Sequence, residues 1–114
     1  MKNKDKETLT KIIKYAKKAI DYVGNSSLDT FRDDAKTVDA CAINIIQVGE
    51  LVNRLSDEFI EATPNMPWHK MKGIRNRIVH DYEGMQFIIV YEVLTESLPQ
   101  LILDIEKIIE HGDK

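Results

Sequence analysis

Apolar side chains recur every three or four positions along almost the whole chain, and that spacing admits little besides α-helix. Leu9, Ile12, Ile13, Ala16, Ile20 and Val23 line one face of a first helix, with Asp5 as its cap and Gly24 as its stop. Asn25-Ser26-Ser27 is a turn, and residues 28–33 form a single helical turn. A second long helix is predicted over residues 37–55, with Thr37 as N-cap. Val38, Ile45 and Val52 alternate there with Cys41, Val48 and Leu55 at heptad spacing, which suits a helix packed against antiparallel neighbours. Gly49 inside that helix costs about 1 kcal/mol relative to alanine. The close approach of another helix backbone is a reason to keep it.

Ser56-Asp57-Glu58 reads as a new helix start, a hydroxyl cap followed by acids in the first turn. That helix must be short, because Pro64 and Pro67 follow. Pro67 suits the first position of the next helix, which carries Trp68, Met71, Ile74 and Ile78 at spacings of three and four and ends at Gly84. The last helix, residues 85–110, places Phe87, Leu94, Leu98, Leu101, Ile105 and Ile108 on one face, with a kink expected at Pro99. The prediction is one all-α domain over residues 1–114, an antiparallel bundle of four main helices plus short helical turns. Residues 87–91 are apolar all round a helix, so both sides need a cover. A second copy of the chain is one cover; the loops around residues 24–36 and 56–66 are the other.

A chain of 114 residues is one domain in size and buries roughly two-thirds of its unfolded surface, enough to fold without a staple. Cys41 is the one cysteine, so no intramolecular disulfide forms, and no Cys/His cluster suggests zinc. Residues 1–10 are polar and charged, unlike a signal peptide, and no apolar run approaches the roughly 20 residues that span a bilayer. The expectation is a soluble, cytoplasmic protein with no membrane contact and no cofactor.

The formal net charge of -3 usually counts against a nucleic-acid partner, but its distribution matters more. Between Pro67 and Val79 stand Lys70, Lys72, Arg75 and Arg77 with no acidic residue among them, and His69 and His80 border them. Such a stripe either holds phosphate or is a solvated helix face. Within it, Arg75 and Tyr82 lie seven residues apart and share a face, and Asn76 and His80, four apart, share the next. Arg75 and His80 are about 140° apart round the axis, a gap that arginine is long enough to bridge.

These residue types suit metal-free cleavage of a phosphodiester. RNA carries its own nucleophile in the 2′-OH. An imidazole with an ordinary pKa of about 6.5 moves protons at neutral pH. A guanidinium offers fixed donors to the phosphate oxygens where charge builds in the transition state. One histidine does not easily serve as base and acid in one step, and a symmetric dimer would bring a second. The same spacing also fits side chains that only complement a helix dipole, with Tyr82 packed in the core.

The stretch Pro67-Trp68-His69-Lys70-Met71-Lys72-Gly73-Ile74-Arg75-Asn76-Arg77-Ile78-Val79-His80-Asp81-Tyr82 closely resembles the core of the HepT-like family of HEPN proteins. Thr37-Val38-Asp39-Ala40, Val48-Gly49-Glu50 and Leu98-Pro99 extend the resemblance to nearly the whole chain. It implies a homodimeric, metal-independent ribonuclease toxin, encoded beside an MNT-type nucleotidyltransferase that acts as antitoxin. Carried over to these positions, Arg75 and His80 would be catalytic, Asn76 would orient the site, and Tyr82 would accept AMP from the antitoxin. Attached phosphate and nucleotide would then repel and obstruct RNA.

Other residues have plainer readings. Cys41 is a small buried hydrophobe, Trp68 a core anchor with base stacking as the alternative, and Glu50 a solvated carboxylate facing away from the heptad seam, which the resemblance draws toward the motif or the other subunit. His69 and His111 lack partners at ligand spacing. Lys70, Lys72 and Arg77 either contact RNA phosphates or serve solubility. The same Arg/His pocket also fits a non-catalytic module that grips a nucleotide or a partner protein, and a scaffold dimer is a third reading.

Overall fold

The computed structural model describes residues 1–111, and their regular structure is all helical. Helix α1 (Asn3–Val23) leads through a turn to α2 (Leu28–Asp33) and then α3 (Ala35–Val52). Helix α4 (Asp57–Ala62) and α5 (Trp68–Asp81) follow, and a last rod runs from α6 (Phe87–Glu92) through a π-helical turn (Val93–Ser97) into α7 (Leu98–His111). Helix α3 packs against α1 on one side and α5 on the other, and α7 closes the bundle against α1. The four-helix expectation holds, and all six heptad residues of α3 and its exit, from Val38 to Leu55, are buried.

Several helix ends differ from the expectation. Asp5 is not the cap of α1, which starts after Lys2. It lies in the first turn, buried, and its carboxylate accepts from the backbone N–H of Ser56 at 2.9 Å and the Ser56 hydroxyl at 2.7 Å. Ser56 in turn caps α4 by accepting from the Phe59 N–H, so one carboxylate ties α1 to the α3–α4 corner. Thr37 is not an N-cap either. Asp34 is, because its longer reach lets it accept from both the Thr37 N–H and the Thr37 hydroxyl. Pro67 stands one place earlier than expected, at the N-cap of α5, and its carbonyl accepts from the Met71 N–H.

Just before Pro99 the rod takes a π turn, closed by the Leu98 N–H on the Val93 carbonyl. The wider turn accommodates the proline's missing N–H and the bulk of its ring. The collar of residues 87–91 is covered in part from within. Val90 is buried, and Tyr91 packs its ring against Phe31 of α2 and donates its hydroxyl to the Ser26 carbonyl at 2.7 Å. Phe87, expected on the buried face, is exposed together with Ile88, because α2 reaches only one side of α6.

Candidate functional site

The site is built at the crossing of α3 and α5. Gly49 is the reason the two helices come so close there. A Cβ on Gly49 would sit 2.3 Å from the Cβ of Arg75, 2.7 Å from its Cγ and 3.2 Å from the Met71 carbonyl oxygen. The missing side chain therefore makes the slot into which the Arg75 stem fits. Beside it, Glu50 forms an ion pair with one terminal nitrogen of the Arg75 guanidinium. The other terminal nitrogen donates to Asn76 Oδ1 at 2.9 Å. The Nε of Arg75 is buried and has no acceptor among the described residues. Among the described residues, the head group is thus oriented by Glu50 and Asn76.

One to two turns further along α5 the surroundings change. His80 lies in the last turn, exposed, and no side-chain hydrogen bond or ion pair joins it to Arg75, Asn76 or Tyr82 among the described residues. Tyr82, the C-cap residue of α5, donates its hydroxyl to the Asp39 carboxylate on α3. Partial burial, then that hydrogen bond and the nearby Asp39 charge, push the phenol up to about 12. The Tyr82 ring separates two hollows. One, of about 210 Å³, lies between α2, the start of α3 and α6, with Arg32, Asp39, Glu83 and Phe87 on its walls. The other is a shallow apolar groove of about 400 Å³ along α3 and α5, lined by Ala42, Ile43, Ile46, Ile78 and Val79. Ile43 and Val79 are 60% and 45% exposed there, large apolar side chains facing water beside the motif.

The basic residues do not form one stripe. By helical geometry Lys72 lies within about 60° of Arg75, while Lys70 and Arg77 lie about 140–160° away. Lys70 donates to Ser97 Oγ at 3.1 Å, toward the last rod. Trp68 is the core anchor expected: it is buried, tilts against Phe59 and donates its indole N–H to Thr63 Oγ1 at 2.9 Å. Cys41 is buried, with burial pushing its thiol up to about 11, so it holds little thiolate at neutral pH. Among the described residues no three His, Cys, Asp or Glu side chains gather as a metal-ligand set, and no helix is long and apolar enough to cross a membrane.

The spacing set Asn76 on a face with His80, but the structure joins it to Arg75. Glu50, read as a solvated carboxylate that the resemblance drew toward the motif, pairs with Arg75, and Asp39 enters the site from α3 without having been assigned a contact. For Glu50 a signal existed: it follows a glycine whose absent side chain marks where another helix passes. For Asp39, on a different helix from Tyr82, the spacing carried none.

Residues 12–108 match the family described as "Ribonuclease HepT-like". Among curated proteins, the chain is 32% identical over 99 residues to a Methanocaldococcus jannaschii protein named "Putative RNase", covering 87% of this chain and 82% of that one. It is 24% identical over 108 residues to a Thermococcus cleftensis protein named "Probable ribonuclease HepT", covering 95% of this chain and 98% of the relative. No solved structure matches the chain significantly.

Proposed function

The chain belongs to the HepT-like ribonuclease family, and from that premise we propose that it is a metal-independent endoribonuclease in which Arg75 and His80 carry the chemistry. The observation that carries this reading is the contrast along α5 between a guanidinium held in place and an exposed imidazole five residues later. In the reaction, the ribose 2′-oxygen attacks the adjacent phosphorus and the bond to the 5′-oxygen breaks. His80 takes the 2′-OH proton. The non-bridging oxygens, where charge accumulates, meet Arg75. A 2′,3′-cyclic phosphate and a protonated 5′-OH are left. The proton for that leaving oxygen needs a second acid, and His80 of a second copy supplies it in a homodimer. The exposed apolar groove bearing Ile43 and Val79 supports that assembly, and so do the uncovered Phe87 and Ile88. Lys72, on the same side of α5 as Arg75, contacts an RNA phosphate, and Lys70 and Arg77 serve a strand that continues round the helix.

The same reading makes the chain the toxin of a pair controlled by an MNT-type nucleotidyltransferase, with Tyr82 as AMP acceptor. The phenol oxygen attacks the α-phosphate of ATP, its proton passes to the Asp39 carboxylate and pyrophosphate leaves. The hydrogen bond between these two groups supports the step, because a phenol with a pKa of about 12 needs a base at neutral pH.

Incubation of total RNA with the protein in EDTA tests the enzyme. Wild type cleaves, and His80→Ala slows cleavage by at least about 100-fold with an unchanged circular dichroism spectrum, since His80 is exposed. Cleavage abolished by chelator, or undiminished in His80→Ala, would sink the mechanism.

A further inference from the structure

A guanidinium at the tip of a flexible stem stabilises a transition state only when its donors already point where charge develops. Arg75 meets that requirement through α3. Gly49 leaves room for the stem, so Cβ and Cγ are wedged against the α3 backbone. The Glu50 carboxylate and the Asn76 amide oxygen hold the two terminal nitrogens, while the buried Nε has no acceptor among the described residues. Of the two holding groups, Asn76 is the immediate neighbour of Arg75 on α5 and moves with it. Glu50 comes from another helix, so among the described residues it is the group that fixes the head group relative to the rest of the bundle. Both partners are partly shielded, with 24% of the Arg75 side chain and 36% of the Glu50 side chain exposed. The pair is therefore less screened than a surface ion pair.

We propose that Glu50 is the positioning residue for Arg75, holding the guanidinium in the plane that meets the scissile phosphate. The inference rests on the ribonuclease reading of Arg75 and adds an α3 carboxylate to it. Glu50 does not touch RNA and takes no proton.

Glu50→Gln keeps the side chain's size and removes its charge. Its kcat for RNA cleavage should fall about ten- to a hundredfold, while KM changes less than about threefold. Glu50→Asp, which keeps the charge on a shorter stem, should recover part of the lost kcat. A second measurement is independent of activity. In ¹⁵N NMR the Arg75 Nε–H should exchange slowly in wild type and lose that protection in Glu50→Gln at unchanged helical content. An unaltered kcat and an unaltered Nε–H signal in Glu50→Gln would overturn the proposal. So would faster cleavage or a lower KM, since the carboxylate would then mask the guanidinium. If wild type itself fails to cut RNA, the ribonuclease reading falls, and the NMR comparison still decides whether Glu50 holds Arg75.

Discussion

Two ends of one helix are built to opposite rules. Around Arg75, α5 lies so close to α3 that a methyl group on Gly49 has no space, and an ion pair locks the side chain across the gap. Around His80 and Tyr82, the side chains are exposed, hollows open on both sides of the tyrosine ring, and a hydrogen bond from Tyr82 to Asp39 ties the end to α3. The difference suits the function proposed for each end. Stabilising developing charge needs fixed donors, whereas the proposed proton transfer and modification need access. Rigidity stops where access begins, within two helical turns.

The sharpest way to break this comparison is to fill the tight end. Gly49→Ala gains about 1 kcal/mol of helix propensity, but it sets a methyl against Arg75 Cβ, an atom fixed to the α5 backbone. Overpacking of that kind costs about 1–3 kcal/mol, so the clash wins and α5 must shift. Thermal unfolding should drop by several degrees and RNA cleavage should fall with it. Gly73 on the same α5 is the control, because a Cβ there meets nothing within 4 Å. Gly73→Ala should stabilise by up to about 1 kcal/mol. Two alanines of opposite sign would establish the tight crossing; equal effects would refute it.

The open end is sharpened by asking what covers it. Ile43→Glu changes a residue 60% exposed in the single chain, so the fold should lose no more than about 0.5 kcal/mol. In a dimer that buries this groove, an unpaired carboxylate becomes expensive. Light scattering should move from a dimer mass to a monomer mass, with loss of cleavage. Phe87→Glu applies the same test to the collar. A wild type that is monomeric and fully active at micromolar concentration would show that one chain completes the site.

How far the sequence alone reaches depends on whether a feature is local. The helices were legible because apolar periodicity is a property of consecutive residues, and Gly49 was legible as a close approach because glycine inside a helix needs a reason. Asp5, Thr37 and Phe87 were misread since each depends on a partner far along the chain or on which neighbour arrives first: Ser56 for Asp5, the competing Asp34 for Thr37, and the one-sided reach of α2 for Phe87. The site divides in the same way. Arg75 and Asn76, both on α5, were singled out as site residues from the motif, but their mutual hydrogen bond was not, and the carboxylates that hold Arg75 and Tyr82 come from α3 and left no periodic trace.

The smallest expected effect concerns that second carboxylate. The phenol of Tyr82 is pushed up to about 12, first by partial burial and then by donating to Asp39 and lying near its charge. In a difference titration of phenolate absorbance, the group lost in Tyr82→Phe should therefore ionise near 12, above the ordinary value of 10.0. Asp39→Asn removes the charge and should lower that ionisation, but only part of the way, since burial remains. The linkage has a definite sign. Below pH 10 the proton is held in both folded and unfolded chains; between about 10 and 12 the folded chain keeps a proton that the unfolded chain releases. Stability should accordingly fall more steeply through that window in wild type than in Tyr82→Phe. The hydroxyl's exposure to solvent weakens the effect, so the slope difference will be slight. A Tyr82 phenol ionising at 10 would remove Asp39 as its partner, and with it the base proposed for nucleotide attachment. An ionisation near 12 that Asp39→Asn lowers would show that the open end, for all its access, keeps one proton under the control of α3.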